Sequence, residues 1–176
     1  MAVRGIFAFF HRLMLLDSNA PVLLVMCTGN VCRSPMAEAL MNHYVSNWGI
    51  SANVISRGLA APVGRSPHPH AIRVAEAHGI PLAPDKRAAQ VSSADMAMAT
   101  AIFIMDSDHR REVQKAYPTA SGKTFLLGQW QGQEIADPIN EPLPKFEDAW
   151  VQCDQGVQEW LKRLRDADIV RFVENV

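Results

Sequence analysis

The feature that most constrains this chain is a junction near its start. The apolar run Pro21-Val22-Leu23-Leu24-Val25-Met26 gives way to Cys27-Thr28-Gly29-Asn30-Val31-Cys32-Arg33, and Ser34-Pro35 follows. A short apolar run ending at a glycine-bearing loop has the pattern of a buried strand. Ser34-Pro35 reads as a helix start, with Ser near the cap, Pro at an early position and Glu38 in the first turn. Met36, Ala39, Leu40, Tyr44 and Trp48 then recur at helical spacing up to Gly49. At such a strand–loop–helix junction successive backbone N–H groups converge on one anion, helped by the positive end of the helix dipole. Gly29 and Asn30 are residue types that tolerate the left-handed backbone a ring of donors demands. The same field stabilises a thiolate at Cys27, and Ser34 is placed to give that sulfur its hydroxyl proton. Arg33 offers a planar fork that matches two phosphate oxygens. Together these groups suit a tetrahedral dianion with a nucleophile beneath it. A cysteine and an arginine alone would carry little weight, because buried structural cysteines are common and most such spacings are accidental. The company of Gly29, Asn30 and Ser34-Pro35 at this junction gives the pattern its meaning.

Further strands are expected at Val54–Ser56, Ala101–Met105 and Thr124–Leu127. Helical spacing runs over His70–His78, from the capping Asp106-Ser107-Asp108 through Lys115, and over Phe146–Leu164. The last of these carries Phe146, Ala149, Trp150, Cys153, Val157, Trp160 and Leu161 on its apolar face. Pro62–Pro69 reads as a loop and Gly128–Pro144 as irregular. Strands alternating with helices argue for an α/β fold, a parallel sheet with helices on both faces and right-handed crossovers. Ligands in such sheets bind beyond the carboxyl ends of the strands, which is where the Cys27 loop leaves the first strand.

With 176 residues, one domain is the expectation. The balance of 17 basic and 18 acidic side chains, net charge -1, speaks against a general binder of nucleic acid or anionic membranes. Three cysteines, an odd and sparse count, speak against a disulfide framework and for a reducing, cytoplasmic setting.

Residues 1–20 read as an extension ahead of an expected domain spanning 21–166, with 167–176 as a tail of ambiguous structure. In the extension Ile6, Phe9 or Phe10, Leu13 and Leu16 share a helical face that could dock on the domain or on a membrane. Met14 is also a candidate start. As a signal peptide the segment is broken by His11-Arg12. Docking or a misplaced start ranks ahead of membrane anchoring, and export comes last.

The loop Cys27 to Ser34-Pro35, with Ser56-Arg57-Gly58, Met105-Asp106 and Asp137-Pro138, resembles the low-molecular-weight protein tyrosine phosphatase family. The likeness runs from about Val22 to Leu164 and implies a four-stranded parallel sheet with flanking helices. Gly128-Gln129-Trp130 through Glu134-Ile135-Ala136-Asp137-Pro138 looks most like the bacterial branch associated with exopolysaccharide export. That branch implies a tyrosine autokinase as the phosphotyrosine substrate.

Phenolate is a poor leaving group near neutral pH because phenol's pKa is ~10, so the reaction needs a general acid. The family places that acid in an Asp-Pro pair, matched here by Asp137-Pro138; alone, the pair would read as a turn. The implied course is two displacements at phosphorus through a cysteinyl-phosphate on Cys27, with Arg33 and the loop amides of Thr28 to Cys32 holding the equatorial oxygens. No metal or other cofactor is implied, and inorganic phosphate is the product. Asn30 and Ser56 match family residues that brace the loop. Cys32 stands where the family often has a cysteine, which implies a reversible disulfide with Cys27; a small packing residue is the even alternative. Cys153 reads as core. His68, His70 and His78 form a weak ligand set for a metal and read as a solvated loop.

The chain has Ile139 and Asn140 where many family members carry an aromatic wall after Asp-Pro, so Ile139 or Trp130 is expected to border the substrate ring. Trp130 reads equally as core. Asp85-Lys86-Arg87-Ala88 aligns poorly with a His and an Arg usual in the family. Arsenate reductases of this fold need a further cysteine after the third strand, where this chain has Met105-Asp106-Ser107. Protein-arginine phosphatases resemble this loop, Thr28 included, but tend to have threonine at the place of Val31; an apolar side chain suits an aryl ring better. A catalytically idle phosphotyrosine-binding module is the rival of another class, and it would be expected to lose Cys27, Arg33 or Asp137.

Overall fold

A computed structural model describes residues 20–172. The readings made for the first nineteen residues and for 173–176 lie outside the described residues. In chain order the elements are β1 (Val22–Cys27), α1 (Arg33–Asn47), β2 (Ile50–Ser51), β3 (Asn53–Gly58), α2 (Pro69–Ala77), α3 (Ser93–Met98), β4 (Ala101–Ile104), α4 (Ser107–Ala116), β5 (Thr124–Leu126), α5 (Leu143–Asp166) and β6 (Arg171–Phe172). The four-stranded sheet has the order β3-β1-β4-β5 and every pairing in it is parallel.

Alternation along the strands divides the core in two. Leu23, Val25, Ala101, Phe103 and Met105 face α1, α2 and α5 and pack with Met36, Leu40, Val74, Phe146, Trp150 and Leu161. Leu24, Met26, Ile102 and Ile104 face the other way, onto Met96, Val113 and Ala120. Both faces being covered explains why β1 and β4 read as unbroken apolar runs. In α5 the face from Phe146 to Leu161 is buried at each position named from periodicity.

The structure departs from the sequence reading in three local ways. The N-cap of α1 is Cys32, with no side-chain cap, because the Ser34 hydroxyl is taken up by Cys27 and Asn30. Glu38 lies beyond the first turn of α1, and its carboxylate is held by Ser56 and Lys86. The tail is partly structured: Val170 is buried, and β6 pairs antiparallel with β2 through Ile50↔Phe172. Among the described residues no helix is long and apolar enough to cross a membrane.

Candidate active site

The loop from Cys27 to Arg33 is held from outside through its carbonyls. Cys27 O accepts from Leu59 N–H at 3.0 Å, Thr28 O from Ala60 N–H at 2.9 Å and Val31 O from His68 N–H at 2.8 Å. A planar trans peptide points N–H opposite to C=O. With no cis bond among the described residues, the N–H groups of Thr28, Gly29 and Cys32 therefore turn away from those partners. Gly58 allows the close approach: a Cβ there would lie 2.6 Å from Thr28 O and 3.1 Å from Asn30 N.

Two donors converge on the buried Cys27 sulfur. Asn30 N–H donates to Sγ at 3.2 Å. Ser34 Oγ lies 3.0 Å from Sγ and accepts from Asn30 Nδ2 at 2.9 Å; against an ionised sulfur, which can only accept, the Ser34 hydroxyl is the donor. Hydrogen bonds donated to sulfur orient it and stabilise the negative charge it carries as attacking and leaving group. Asn30 organises this arrangement from a left-handed backbone, φ 54°. Its Nδ2 also donates to Ser56 Oγ at 2.8 Å, and its Oδ1 accepts from Ala89 N–H at 3.0 Å. Ser56 in turn donates to Glu38 at 2.8 Å and accepts from Lys86 Nζ at 2.7 Å, with Lys86 and Glu38 forming an ion pair. Ser56 thus uses its one donor and both acceptor positions. Lys86, from the stretch that aligns poorly with the family, supplies a cation to this brace.

Arg33 is buried, and two carboxylates compensate its charge. Its Nη1 donates to Asp106 Oδ2 at 2.8 Å and to Ile135 O at 2.9 Å, and its Nη2 donates to Asp137 Oδ2 at 2.8 Å. Arg33 Nε is buried without a protein partner. The segment carrying Asp137 hangs from the sheet through Ile135 N–H to Met105 O, 2.9 Å. Asp106 caps α4 by accepting from His109 N–H at 2.9 Å. Burial opposes ionisation of Asp106, yet the His109 amide and Arg33 outweigh it and hold its carboxyl below the usual carboxylate range. His109 is buried; its Nε2 lies 3.0 Å from Thr28 Oγ1, and burial lowers its proton affinity despite Asp106. Cys27, Cys32 and Cys153 are all free thiols. Burial pushes Cys32 up to about 12, with the Cys27 and Asp137 charges adding to it, and burial does the same for Cys153.

A cleft of about 230 Å³ opens over this loop, lined by Cys27, Thr28, Gly29, Val31, Cys32, Pro62, Arg65, Asp137 and Ile139. The structure thus brings together Cys27, the loop residues, Arg33, Ser34, Ser56 and Asp137, with Ile139 at the rim. It does not bring Trp130 there. That side chain stacks on Arg163, 3.7 Å from the ring centroid, and packs edge-on against Trp160. The cation and the larger aromatic surface of α5 draw it away from the cleft. The histidines are not a solvated loop either. His68 caps α2 and stacks on Phe146 at 4.7 Å, while His78 stacks on Trp150 and pairs with Glu147. Among the described residues no group of three or more His, Cys, Asp or Glu could hold a metal ion. Sequence reasoning missed His109, Glu38, Lys86 and Arg65 as site residues. Asp106 carried a signal, since it directly follows the third apolar strand at its carboxyl end; Glu38 and Lys86 meet only through the fold.

Residues 22–169 match the family model described as low molecular weight phosphotyrosine protein phosphatase. The chain is 38% identical over 143 residues to a probable low molecular weight protein-tyrosine-phosphatase, EpsP, of Ralstonia nicotianae, covering 81% of this chain and 95% of that protein. Among solved structures it is similar to the tyrosine phosphatase AmsI of Erwinia amylovora, TM-score 0.76 and 32% identity, covering 85% of this chain and 96% of the other. It is also similar to the YwlE arginine phosphatase of Geobacillus stearothermophilus, TM-score 0.76 and 29% identity, with the same coverage of both chains.

Proposed function

Because this chain belongs to the low molecular weight phosphotyrosine protein phosphatase family, we infer that its protein-tyrosine phosphatase reaction runs through Cys27, Arg33 and Asp137, with residues 21–166 as the catalytic unit. The observation that carries this assignment is the pair of donors aimed at Cys27 Sγ on the floor of a cleft that Asp137 also lines.

The substrate phosphate takes the Thr28, Gly29 and Cys32 amides and the Arg33 guanidinium, whose Nε has no protein partner. Asp137, which lines the same cleft as Cys27, serves as the general acid. Cys27 Sγ attacks phosphorus as the bond to the tyrosine oxygen breaks, and Asp137 delivers its proton to that oxygen. In the second step water attacks the cysteinyl-phosphate. Asp137 takes the water's proton, and the thiolate leaves as inorganic phosphate forms. Ser34 and Asn30 hold the departing sulfur as they held the attacking one.

Val31 gives the cleft an apolar face that suits a phenyl ring better than a guanidinium, so phosphotyrosine is preferred to phosphoarginine. The likeness to EpsP and AmsI supports a bacterial tyrosine autokinase of exopolysaccharide export as the physiological substrate. Action in the cytoplasm is part of the same proposal, supported by the three free thiols.

Turnover of a phosphotyrosyl peptide tests the assignment. Cys27→Ser is expected to abolish it, and Asp137→Ala to lower it by about 10²–10⁴-fold while binding persists. Cys27→Ser turning over like the wild type would refute the mechanism. A wild type that binds phosphotyrosine without hydrolysing it would instead be a binding module, and faster release of phosphate from phosphoarginine would favour the arginine reading. Asp137→Ala is also the trap for the kinase; no removal of phosphate from such a kinase would withdraw that substrate alone.

A further inference from the structure

Behind the cleft stands a chain of three groups that the phosphatase reaction leaves unused. Thr28 directly follows the nucleophile and lines the cleft. Its Oγ1 lies 3.0 Å from Nε2 of the buried His109, and on the far side of that ring Nδ1 faces Asp106 Oδ1 at 3.1 Å. The order is that of an aspartate–histidine–hydroxyl relay, but here the hydroxyl stands next to a better nucleophile, Cys27. His109 Nδ1 is buried and makes no hydrogen bond, yet the carboxylate's charge at that distance decides where the ring's proton sits. Asp106 also accepts from Arg33 Nη1 and from the His109 amide, which keeps it ionised. Facing a carboxylate, the neutral ring holds its proton on Nδ1 and leaves a lone pair on Nε2. That lone pair accepts, so beside a neutral His109 the Thr28 hydroxyl gives its proton to the ring. Beside a protonated His109 the ring donates, Thr28 Oγ1 accepts, and the hydroxyl proton is free to turn to the cleft.

We propose that His109 is a positioning residue for the transferring phosphoryl group, setting whether the Thr28 hydroxyl gives its proton to the imidazole or to the oxyanion in the cleft. This rests on the reading of the cleft as the phosphate site. The charges that face His109 are Asp106 at the N-cap of α4, Arg33 from α1, Glu112 on α4 itself and Asp137 from the segment after Ile135. In the empty site burial, with Arg33, outweighs the three carboxylates and lowers the proton affinity of the ring. A dianion held by the Thr28 hydroxyl adds negative charge just beyond it, so binding draws a proton onto His109. By reciprocity, protonation of His109 tightens the hold on the dianion, and affinity gains this share as the pH falls.

Sulfate stays a dianion between about pH 7.5 and 5, so its Ki against p-nitrophenyl phosphate reports the protein's protons and not its own. Asp137 titrates as well, and the comparison is therefore made between proteins that all keep it. Across that range Ki in the wild type is expected to tighten by about tenfold more than in Thr28→Val, which is what one hydrogen bond to a charged group is worth. Thr28→Ser, which restores the hydroxyl, should keep the wild-type dependence. His109→Gln removes the titrating ring and should match Thr28→Val. The double variant should match either single one, because the two residues act as a unit. In 15N spectra of the histidine rings, His109 Nε2 should be bare without sulfate at the upper pH and protonated with sulfate at the lower one. A wild-type pH dependence in Thr28→Val would overturn the proposal. So would an effect of His109→Gln that is the same with and without the Thr28 hydroxyl, which would make His109 a support of α4 alone. A proton on Nε2 of the neutral, sulfate-free ring would overturn it too, and the spectra and the Thr28 variants decide the matter even where His109→Gln fails to fold. These results leave the phosphatase reading intact; a wild type that does not turn over p-nitrophenyl phosphate would remove that reading and this one together.

Discussion

Replacing Gly58 by alanine adds one methyl at the point where β3 passes behind the Cys27 loop. The added carbon would stand 2.6 Å from Thr28 O, 2.9 Å from Ala61 Cβ and 3.1 Å from Asn30 N. Two of the three neighbours are backbone, so no flexible side chain can swing away. Restoring an ordinary C···O contact of about 3.3 Å from the 2.6 Å available moves the Thr28 peptide by roughly 0.7 Å. The N–H of that same peptide, on Gly29, is one of the inward-turned amides, and Asn30 N–H is a donor to Cys27 Sγ. With a misplacement of 1 Å able to cost about 10²-fold, the expected loss in kcat/KM on p-nitrophenyl phosphate is on the order of tenfold or more. Overpacking also destabilises by about 1–3 kcal/mol, which for a chain of this size lowers Tm by roughly 2–12 °C. Gly156→Ala separates the two effects. There an added Cβ would meet Leu127 O at 2.5 Å, in the contact of α5 with the end of β5, away from the loop. It is expected to lower Tm comparably while kcat at 25 °C stays within about twofold of the wild type. Wild-type kcat/KM in Gly58→Ala, or equal losses of turnover in the two variants, would refute the reasoning.

Asn30→Gly keeps the left-handed backbone but leaves Ala89 N–H and the Ser34 and Ser56 hydroxyls short of a partner; thermal melts should show a loss of about 1–3 kcal/mol or more, with turnover falling alongside. His109 binds a proton less readily when folded than when unfolded, because burial and Arg33 oppose the charge more than Asp106 favours it. The unfolded chain therefore takes up the extra proton below about pH 6.5, so stability is full above that pH and declines as it falls. Tm measured from pH 7.5 to 5 should drop, and His109→Gln should flatten the drop; an unchanged slope would exclude His109 as its source. Trp130→Ala removes the stack on Arg163 and the edge contact with Trp160, a loss of about 0.5–2 kcal/mol that leaves KM for a phosphotyrosyl peptide unaltered. A severalfold rise in KM would return Trp130 to the cleft.

The centre of the sheet was legible because β1 and β4 are buried on both faces and so announce themselves as apolar runs, and α5 because its apolar stripe persists over several turns. The phosphate loop was legible because the nucleophile, the guanidinium and the residues that donate to the sulfur lie within one short stretch, Cys27 to Ser34. What was not legible depends on distance along the chain. Glu38, Ser56 and Lys86 meet only after α1, β3 and the 83–88 segment pack, and Lys86 lies in a stretch that aligns poorly with the His and Arg usual in the family. Trp130 had two apolar destinations, and nothing local distinguishes the cleft from α5; Arg163 decides it from a position far along the chain. Ser34 and Glu38 were given local helix-start roles, but tertiary partners outcompete the cap. Arg65 sits in a Pro-, Gly- and His-rich loop whose composition says only that it is a loop.

The most direct measurement is an acid quench of the Asp137→Ala protein during its reaction with p-nitrophenyl phosphate, with mass spectrometry of its cysteine peptides. The expected result is a phosphoryl group on the peptide carrying Cys27, none on the peptide carrying Cys153, and none in Cys27→Ser. Steady release of phosphate with no phosphoryl group ever found on Cys27 would contradict it.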